Sequence, residues 1–493
     1  MIAPGLDTYR RLSEAGYRYI PLYAEELNDT ETPVTIFAKL TKGKGRFLLE
    51  SVERGNQIGR YSFIGWQPFL TFTATGEELT LSRQEGSTIL YGEPLATIKK
   101  ELDSLRVAPL PELNPFPGGA AGYIGYDYVR QIEKLPIQTR PVTGLPDLSL
   151  VVPSYLVRLD HVTHKITTIV LSRADPEDID GSYRRTVQEL SALRDKFKRK
   201  QQLPPLPNTE KEDKAPAWSA TLSKSQFMGL VQQIKEYIRA GEVRQVVLSH
   251  RIRQAYSEDP FFFYRVLRTV NPSPYLFYFD FGDHQLAGSS PEMMVRLTDG
   301  RVTLKPIAGT RRRGCSAEED ERLRQELLND GKERAEHLML VDSGREELDR
   351  VCRPGSVQVT NLMNVESYSH VIHLVSTLQG ELLPVYSGFD LLRAVFPAGT
   401  LSGAPKRRAL EIIEALEPTR REFYGGCVGY FGFNGNLDTC ITIRTALFHA
   451  NQVHLQVGAG IVADSDPEKE YAETMNKAAA LLTALTQAGG EKR

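Results

Sequence analysis

The chain has 493 residues, 41% hydrophobic and 25% charged, an ordinary globular composition with length for two to four domains or one fused body. Its 60 basic and 62 acidic residues leave a formal charge of −2, so no bulk field recruits nucleic acid or an anionic membrane surface. MIAPGLDTYRRL lacks the apolar stretch of a secretory signal, and no apolar run nears the roughly 18 residues of a membrane helix.

Up to residue 200 the pattern is mainly β. RFLLESV, YSFIGW, LTFTATG, LSLVVPSYLVRLD and KITTIVLSR are short runs rich in β-branched and aromatic residues. A helix is predicted over 182–198. The Pro- and charge-rich segment 201–218, QQLPPLPNTEKEDKAPAW, reads as a linker between a domain of residues 1–200 and one of residues 219–493. Beyond it Phe227, Leu230, Val231, Ile234 and Ile238 recur at helical spacing, and Gly241 is placed to stop that helix. RQVVLSHRIRQAY, YLFYFDFG, HQLAGSS, RVTLKPIAG, YGGCVGYFGFN, CITIRTALFHA and NQVHLQVGAGIVAD read as strands. One or two helices are predicted over 316–350, opened by the pair Ser316 and Glu319. A last helix starts at Asp466-Pro467 and runs towards Gln487. This order is not a regular βαβ alternation; it predicts an α+β protein with large, mainly antiparallel sheets covered by helices. No dinucleotide fingerprint or P-loop is present, and Cys315, Cys352, Cys427 and Cys440 form no CxxC pair. Reduced thiols in a cytoplasmic enzyme are the simplest account.

Two Glu pairs stand out. Glu333 and Glu336 lie in KERAEHLMLVD, Glu470 and Glu473 in DSDPEKEYAETMNKA, each pair spaced i, i+3 so that both carboxylates share a helix face. Either these are two solvated acidic faces, or they converge on a hard divalent cation, most simply Mg²⁺. Lys477 extends the second stripe. GAGIVADSD, with Gly458, Ala459 and Gly460 before the last helix, is either a plain turn or a place where backbone meets an anionic ligand. Arg444, in the apolar run CITIRTALF, requires a partner: a structural ion pair or a ligand carboxylate. KPIAGTRRRG places Gly309 and Thr310 after a strand, and FPAGTLSGAPKRRA places Thr400 in a Gly/Pro-rich loop. His373, in SHVIHLVS, is either a core histidine or a proton carrier.

Taken together, GSSPEMMVRL, KPIAGTRRRG, AEHLMLVD, VIHLVS, FPAGTLSGAPK, YGGCVGYFGF, LDTCITIRTA, GAGIVADS and EKEYAETMNKA closely resemble the chorismate-utilising enzymes and, within them, the anthranilate synthase large subunits. The resemblance covers most of the chain and implies orthogonally packed antiparallel sheets. It implies Mg²⁺ on Glu336 and Glu473, supported by Glu333 and Glu470. Gly309, Thr310, Thr400, Tyr424, Arg444, Gly458, Ala459, Gly460 and Lys477 are expected to line the chorismate site, with Arg444 and Tyr424 on the enolpyruvyl carboxylate. Glu292, in SSPE, matches the acid that protonates the leaving hydroxyl, and His373 the residue associated with proton removal from carbon 2. The implied reaction adds ammonia at carbon 2, expels the carbon 4 hydroxyl and releases pyruvate. Gln245 stands where isochorismate and salicylate synthases carry a Lys base, and Ala308 where aminodeoxychorismate synthases carry a Lys nucleophile. Both positions favour anthranilate formation over the sister reactions. Aminodeoxychorismate synthase component I and a catalytically dead tryptophan-sensing subunit are the alternatives.

RFLLESVERG, with Glu50 and Ser51, and NPSPYLFYF, with Pro274, Tyr275 and Leu276, resemble the two segments of the family's tryptophan site, so feedback inhibition is expected. Leu276 replaces the Met of many relatives, and VDSGREELDRV departs from the usual VDLGRNDLGRV. No glutaminase nucleophile motif surrounds any cysteine. The resemblance therefore implies a separate glutamine amidotransferase subunit, in a heterotetramer, that supplies ammonia.

Overall fold

The computed structural model describes residues 2–51, 59–197, 203–206, 218–367 and 371–489. Most of the predicted linker, 207–217, lies outside them. The described strands form one hydrogen-bonded network of 23 members, and its principal ladders are antiparallel. This is the α+β arrangement expected from the strand-rich, non-alternating sequence. The network crosses the 201–218 segment freely. Arg46–Glu50 lies between Tyr61–Thr75 and Tyr275–Asp280, and Gly119–Ile124 pairs with Cys427–Gly432.

Four local patterns differ from expectation, the first being RVTLKPIAG, which is two strands, Arg301–Leu304 and Ile307–Arg312, so that Gly309 and Thr310 lie inside the second and not after a strand. YSFIGW and LTFTATG are one strand, Tyr61–Thr75, because a bulge between Pro68 and Leu70, next to Gln67 at φ 53°, lets the chain pass Pro without ending the ladder. CITIRTALFHA is two strands, Leu437–Ile441 and Thr445–His449, parted at Arg444, whose φ is +49°. GAG is not a turn: Gly458, Ala459 and Gly460 lie inside Gln452–Ile461, paired with Ser249, Leu248 and Val247.

The helices begin where their caps stand. Ser223 and Gln226 form a reciprocal box at Lys224–Arg239, and Gly241 follows it with φ +76°. Ser316 caps Ala317–Asn329, but the Glu319 carboxylate turns to the Cys315 N–H instead of closing the box. Asp330 ends that helix and caps the next, Gly331–Asp349, so 316–350 holds two helices. Asp466 accepts from the N–H groups of Glu468 and Lys469 at the start of Pro467–Gly489.

That last helix buries Ala478, Leu481, Ala484 and Leu485 and packs on Gln452–Ile461. Gly331–Asp349 packs on Ile307–Arg312 and Val371–Glu381. The two acidic helices thus approach the sheet from different sides of one cleft.

Glycine makes room for aromatic packing in this sheet. The Phe277 ring lies over Gly288 and the Phe47 ring over Gly65; a Cβ on Gly288 would sit 2.2 Å from Phe277. Phe277 is 2% exposed and has nowhere to retreat. Gly288→Ala is therefore expected to destabilise the fold by about 1–3 kcal/mol through overpacking, read as a lower urea midpoint with an unchanged slope.

Candidate functional site

Strand Gln245–Ala255 supplies the floor. The Gln245 amide donates to Glu336 Oε1 at 2.6 Å and occupies the space a Cβ on Gly460 would need, 2.7 Å away. Two residues back, Gly458 faces the Tyr424 hydroxyl, and its carbonyl accepts from Lys477 Nζ at 3.0 Å. The same ammonium pairs with Glu473 at 2.7 Å. An unbroken line of contacts therefore runs from Glu336 through Gln245 and the Gly458–Gly460 backbone to Lys477 and Glu473. The two acidic helices converge, as the paired spacing requires for a shared ion. Burial raises the carboxyl of Glu336 above its ordinary pKa, and the charges of Glu333 and Glu473 add to that rise. Glu470 is raised by burial and by Glu473 in the same way, against a hydrogen bond from Ser465. Glu333 stands one step out: Arg311 donates to it at 3.0 Å, and its other oxygen lies 3.2 Å from where a Gly309 Cβ would be.

Among the described residues no three His, Cys, Asp or Glu side chains converge on one point. Two carboxylates from facing helices nevertheless suit Mg²⁺, which takes one or two protein carboxylates and fills its octahedron with water and substrate oxygens. Gln245 Oε1 is buried without a hydrogen-bond partner, beside the Glu336 carboxylate. It is an acceptor waiting for a donor, and water on a cation supplies one. The donor set therefore fits a hard, hydrated divalent ion.

Glu292 follows the strand His284–Ser290 and is 9% exposed. Thr400 donates to its Oε1 at 2.8 Å from the one-turn helix Gly399–Ser402. Burial lifts its pKa to about 7, moderated first by the Thr400 hydrogen bond and then by the Lys477 and Arg444 charges. A carboxylic acid there keeps its proton near neutrality. His373 goes the other way: burial lowers its pKa, against the hydrogen bond with the Gly309 carbonyl, and the Arg444 and Lys477 charges lower it further. A carbonyl only accepts, so Nδ1, 3.0 Å from Gly309 O, carries the hydrogen. A neutral ring then holds its lone pair on Nε2. Gly309 presents that carbonyl from a bulge between Ala308 and Thr310, at φ +68°. The backbone of Thr310 pairs with His373; its side chain lies outside what is described.

Arg444 sits in the break between two strands, not on a strand as the alternation in CITIRTALF suggests. Its left-handed backbone turns the side chain out of the ladder. Burial works against its charge, and Tyr424, Glu473 and Glu292 offset that. Its guanidinium makes no ion pair or hydrogen bond with the described residues. Tyr424 is buried and its hydroxyl pKa is raised by desolvation first. The structure thus brings Glu292, His373, Thr400, Tyr424, Arg444, Gly458, Gly460, Lys477, Glu336 and Glu473 around one cleft. Ala459, fully buried, points its side chain into the core behind Gly458 and Gly460.

Glu50 and Leu276 are direct ladder partners, which unites the two segments around Glu50–Ser51 and Pro274–Leu276. The Glu50 carboxylate accepts from Tyr264 at 2.5 Å and from Arg268 at 2.9 Å. The Tyr275 hydroxyl donates to Asp438 at 3.0 Å. The sequence does not show the support: Gln245 reads there only as a position without a base, and Arg421 and Glu417 behind Tyr424, two charged residues four apart, look like an exposed helix face.

Residues 44–483 match the family model of the chorismate binding enzymes. The chain is 45% identical to anthranilate synthase component 1 of Synechocystis sp., covering 98% of this chain and 99% of that one. It is 43% identical to the protein of the same name from Acetivibrio thermocellus, covering 99% of each. The crystal structure of anthranilate synthase component I from Streptococcus pneumoniae superposes with a TM-score of 0.74 at 34% identity, over 93% of this chain and 99% of that one. The menaquinone-specific isochorismate synthase of Escherichia coli shares the fold at a TM-score of 0.71 and 20% identity, over 97% of this chain and 98% of that one. With its paired acids, buried Glu292 and unpaired Arg444 gathered in one cleft, the chain belongs to the chorismate binding enzymes, among the anthranilate synthase component 1 proteins.

Proposed function

We propose that this protein converts chorismate and ammonia to anthranilate, pyruvate and water, the first committed step of tryptophan synthesis. The observation that carries the reading is the opposed tuning of Glu292 and His373 beside one unpaired arginine. Arg444, with the Tyr424 hydroxyl, would take the enolpyruvyl carboxylate in a bidentate contact. Ammonia bonds to carbon 2 as the ring double bonds shift and the carbon 4–oxygen bond breaks. Hydroxide leaves poorly, so Glu292 gives it a proton and water departs. His373 then accepts the carbon 2 proton, the ether bond at carbon 3 breaks, and pyruvate leaves an aromatic ring. Gln245 lacks the basicity to activate water, and Ala308 offers no nucleophile, so carbon 2 is left to ammonia.

Glu336 and Glu473 would hold Mg²⁺, with Glu333 and Glu470 in support. When bound, the ion would neutralise the ring carboxylate and draw electron density from the ring. We infer that ammonia comes from a separate glutaminase subunit, as the name "component 1" of the relatives implies, in a heterotetramer. We infer also that tryptophan binds beside Glu50, Ser51, Pro274, Tyr275 and Leu276 and inhibits. The pairing of Glu50 with Leu276 supports that reading by placing both segments together. No helix among the described residues is long and apolar enough to cross a membrane. A cytoplasmic location suits the reading.

Chorismate, Mg²⁺ and ammonium salt are expected to give anthranilate fluorescence and pyruvate in equal amounts; aminodeoxychorismate as the end product would reject the assignment. Glu336→Gln and Glu473→Gln are each expected to lower turnover at least about 100-fold, and full turnover in either would remove the metal from the scheme. Because Glu292 must be protonated to act, kcat/KM for chorismate at a fixed concentration of unprotonated ammonia should fall as pH rises through about 7. A profile flat from pH 6 to 8.5 would exclude Glu292 as the acid. Titration calorimetry should detect one tryptophan site per chain, and its absence would reject the feedback reading.

A further inference from the structure

Behind Tyr424 lies a buried ion pair outside the residues gathered at the cleft. Arg421 is 1% exposed and Glu417 5% exposed. Arg421 Nε and Nη2 donate to the two Glu417 oxygens at 2.9 and 2.6 Å. The remaining donors go to backbone: Nη1 to the Leu401 carbonyl at 2.6 Å and Nη2 to the Val247 carbonyl at 2.7 Å. Glu417 in turn accepts from the N–H and hydroxyl of Ser249 at 2.8 and 2.9 Å. The guanidinium carbon lies 4.6 Å from the Tyr126 ring centroid and 5.8 Å from that of Tyr424.

Apart from the Tyr126 ring, each of these contacts ends on a wall of the cleft. Val247 and Ser249 are the ladder partners of Gly460 and Gly458. Leu401 follows Thr400, the residue that donates to Glu292. Tyr424 presents its hydroxyl to Gly458. Three chain segments far apart in sequence thus meet on one guanidinium. A buried ion pair is a poor source of stability, since desolvation cancels most of its attraction. Its rigid fork is a good source of geometry.

We propose that Arg421 and Glu417 are positioning residues for the reaction, fixing the Thr400 hydroxyl on Glu292 and the Tyr424 hydroxyl on the substrate carboxylate. The inference rests on the reading of Glu292 as the acid. Its consequence is specific. If the Leu401 carbonyl loses its donor, the Thr400 turn shifts and Glu292 loses the hydrogen bond that most lowers its pKa. The other charged groups facing Glu292 stay in place: Arg444 from the strand break and Lys477 from the last helix, with Lys305 and Glu347 lining the small cavity behind it. Turnover should then fall while the alkaline limb moves to higher pH.

Arg421→Lys keeps the charge and removes the fork; Glu417→Gln keeps the shape and removes the charge. Each is to be assayed with chorismate, Mg²⁺ and ammonium, with thermal unfolding to select the variant that retains the fold. The expected result is a kcat about 100-fold lower, as a misplacement near 1 Å produces, with a rise in KM for chorismate smaller than that fall and the alkaline limb raised. An unchanged kcat, or a lower kcat with the limb unmoved, overturns the inference. Glu292→Gln is run alongside. If Glu292→Gln keeps full turnover, the acid assignment itself fails; if it is inactive while Arg421→Lys and Glu417→Gln behave as wild type, only the positioning role fails.

Discussion

Like charge gathered in one cleft is the constraint on which this molecule is built. Glu336 and Glu473 approach each other from helices on opposite walls, and burial already disfavours the ionised forms of Glu336 and of Glu470 beside Glu473. In such surroundings two carboxylates repel strongly unless donors or a cation intervene. The protein offers a partial answer: the Gln245 amide on one, the Lys477 ammonium on the other. Neither contact saturates a carboxylate, which has room for about four hydrogen bonds. The unspent capacity faces the cleft, beside an orphaned Gln245 oxygen.

The sheet is what holds that arrangement open. Gly458 and Gly460 are bare where the Tyr424 hydroxyl and the Gln245 amide come within 3 Å of an imagined Cβ. Side chains there would push the floor and walls apart. A ladder of ten residue pairs between Gln245–Ala255 and Gln452–Ile461 keeps this floor in register. The glycines are thus required for closeness inside a strand, a different reason from the turn that their sequence suggests.

Much of this was legible before any coordinates. Capping residues marked the starts of two helices, at Ser316 and Asp466, because a cap satisfies orphan N–H groups locally and leaves its trace within four residues. The acidic pairs and the Glu470, Glu473 and Lys477 stripe were legible because helical spacing fixes a shared face. The strand break at Arg444 was not. An apolar run on both sides imitates one continuous strand, and only the positive φ of a single non-glycine residue divides it. Ser249, Glu417 and Arg421 were also invisible, since their partnership depends on a fold that brings strand and helix end together over 168 residues.

Three arginines, Arg251 and Arg421 buried and Arg444 partly so, sort themselves by what they lack. Arg251 places its donors on Glu422, Gln456 and two carbonyls. Arg421 is equally occupied by Glu417 and two carbonyls. Arg444 alone of the three has no such set among the described residues, although burial penalises its charge. An unpaired, partly buried guanidinium is costly, and the same fold saturates Arg251 and Arg421. Its backbone is moreover held in a conformation that non-glycine residues avoid. Strain and unspent hydrogen-bonding capacity at the same residue, within reach of Glu292, Tyr424 and Glu473, support the proposal that Arg444 takes a substrate carboxylate.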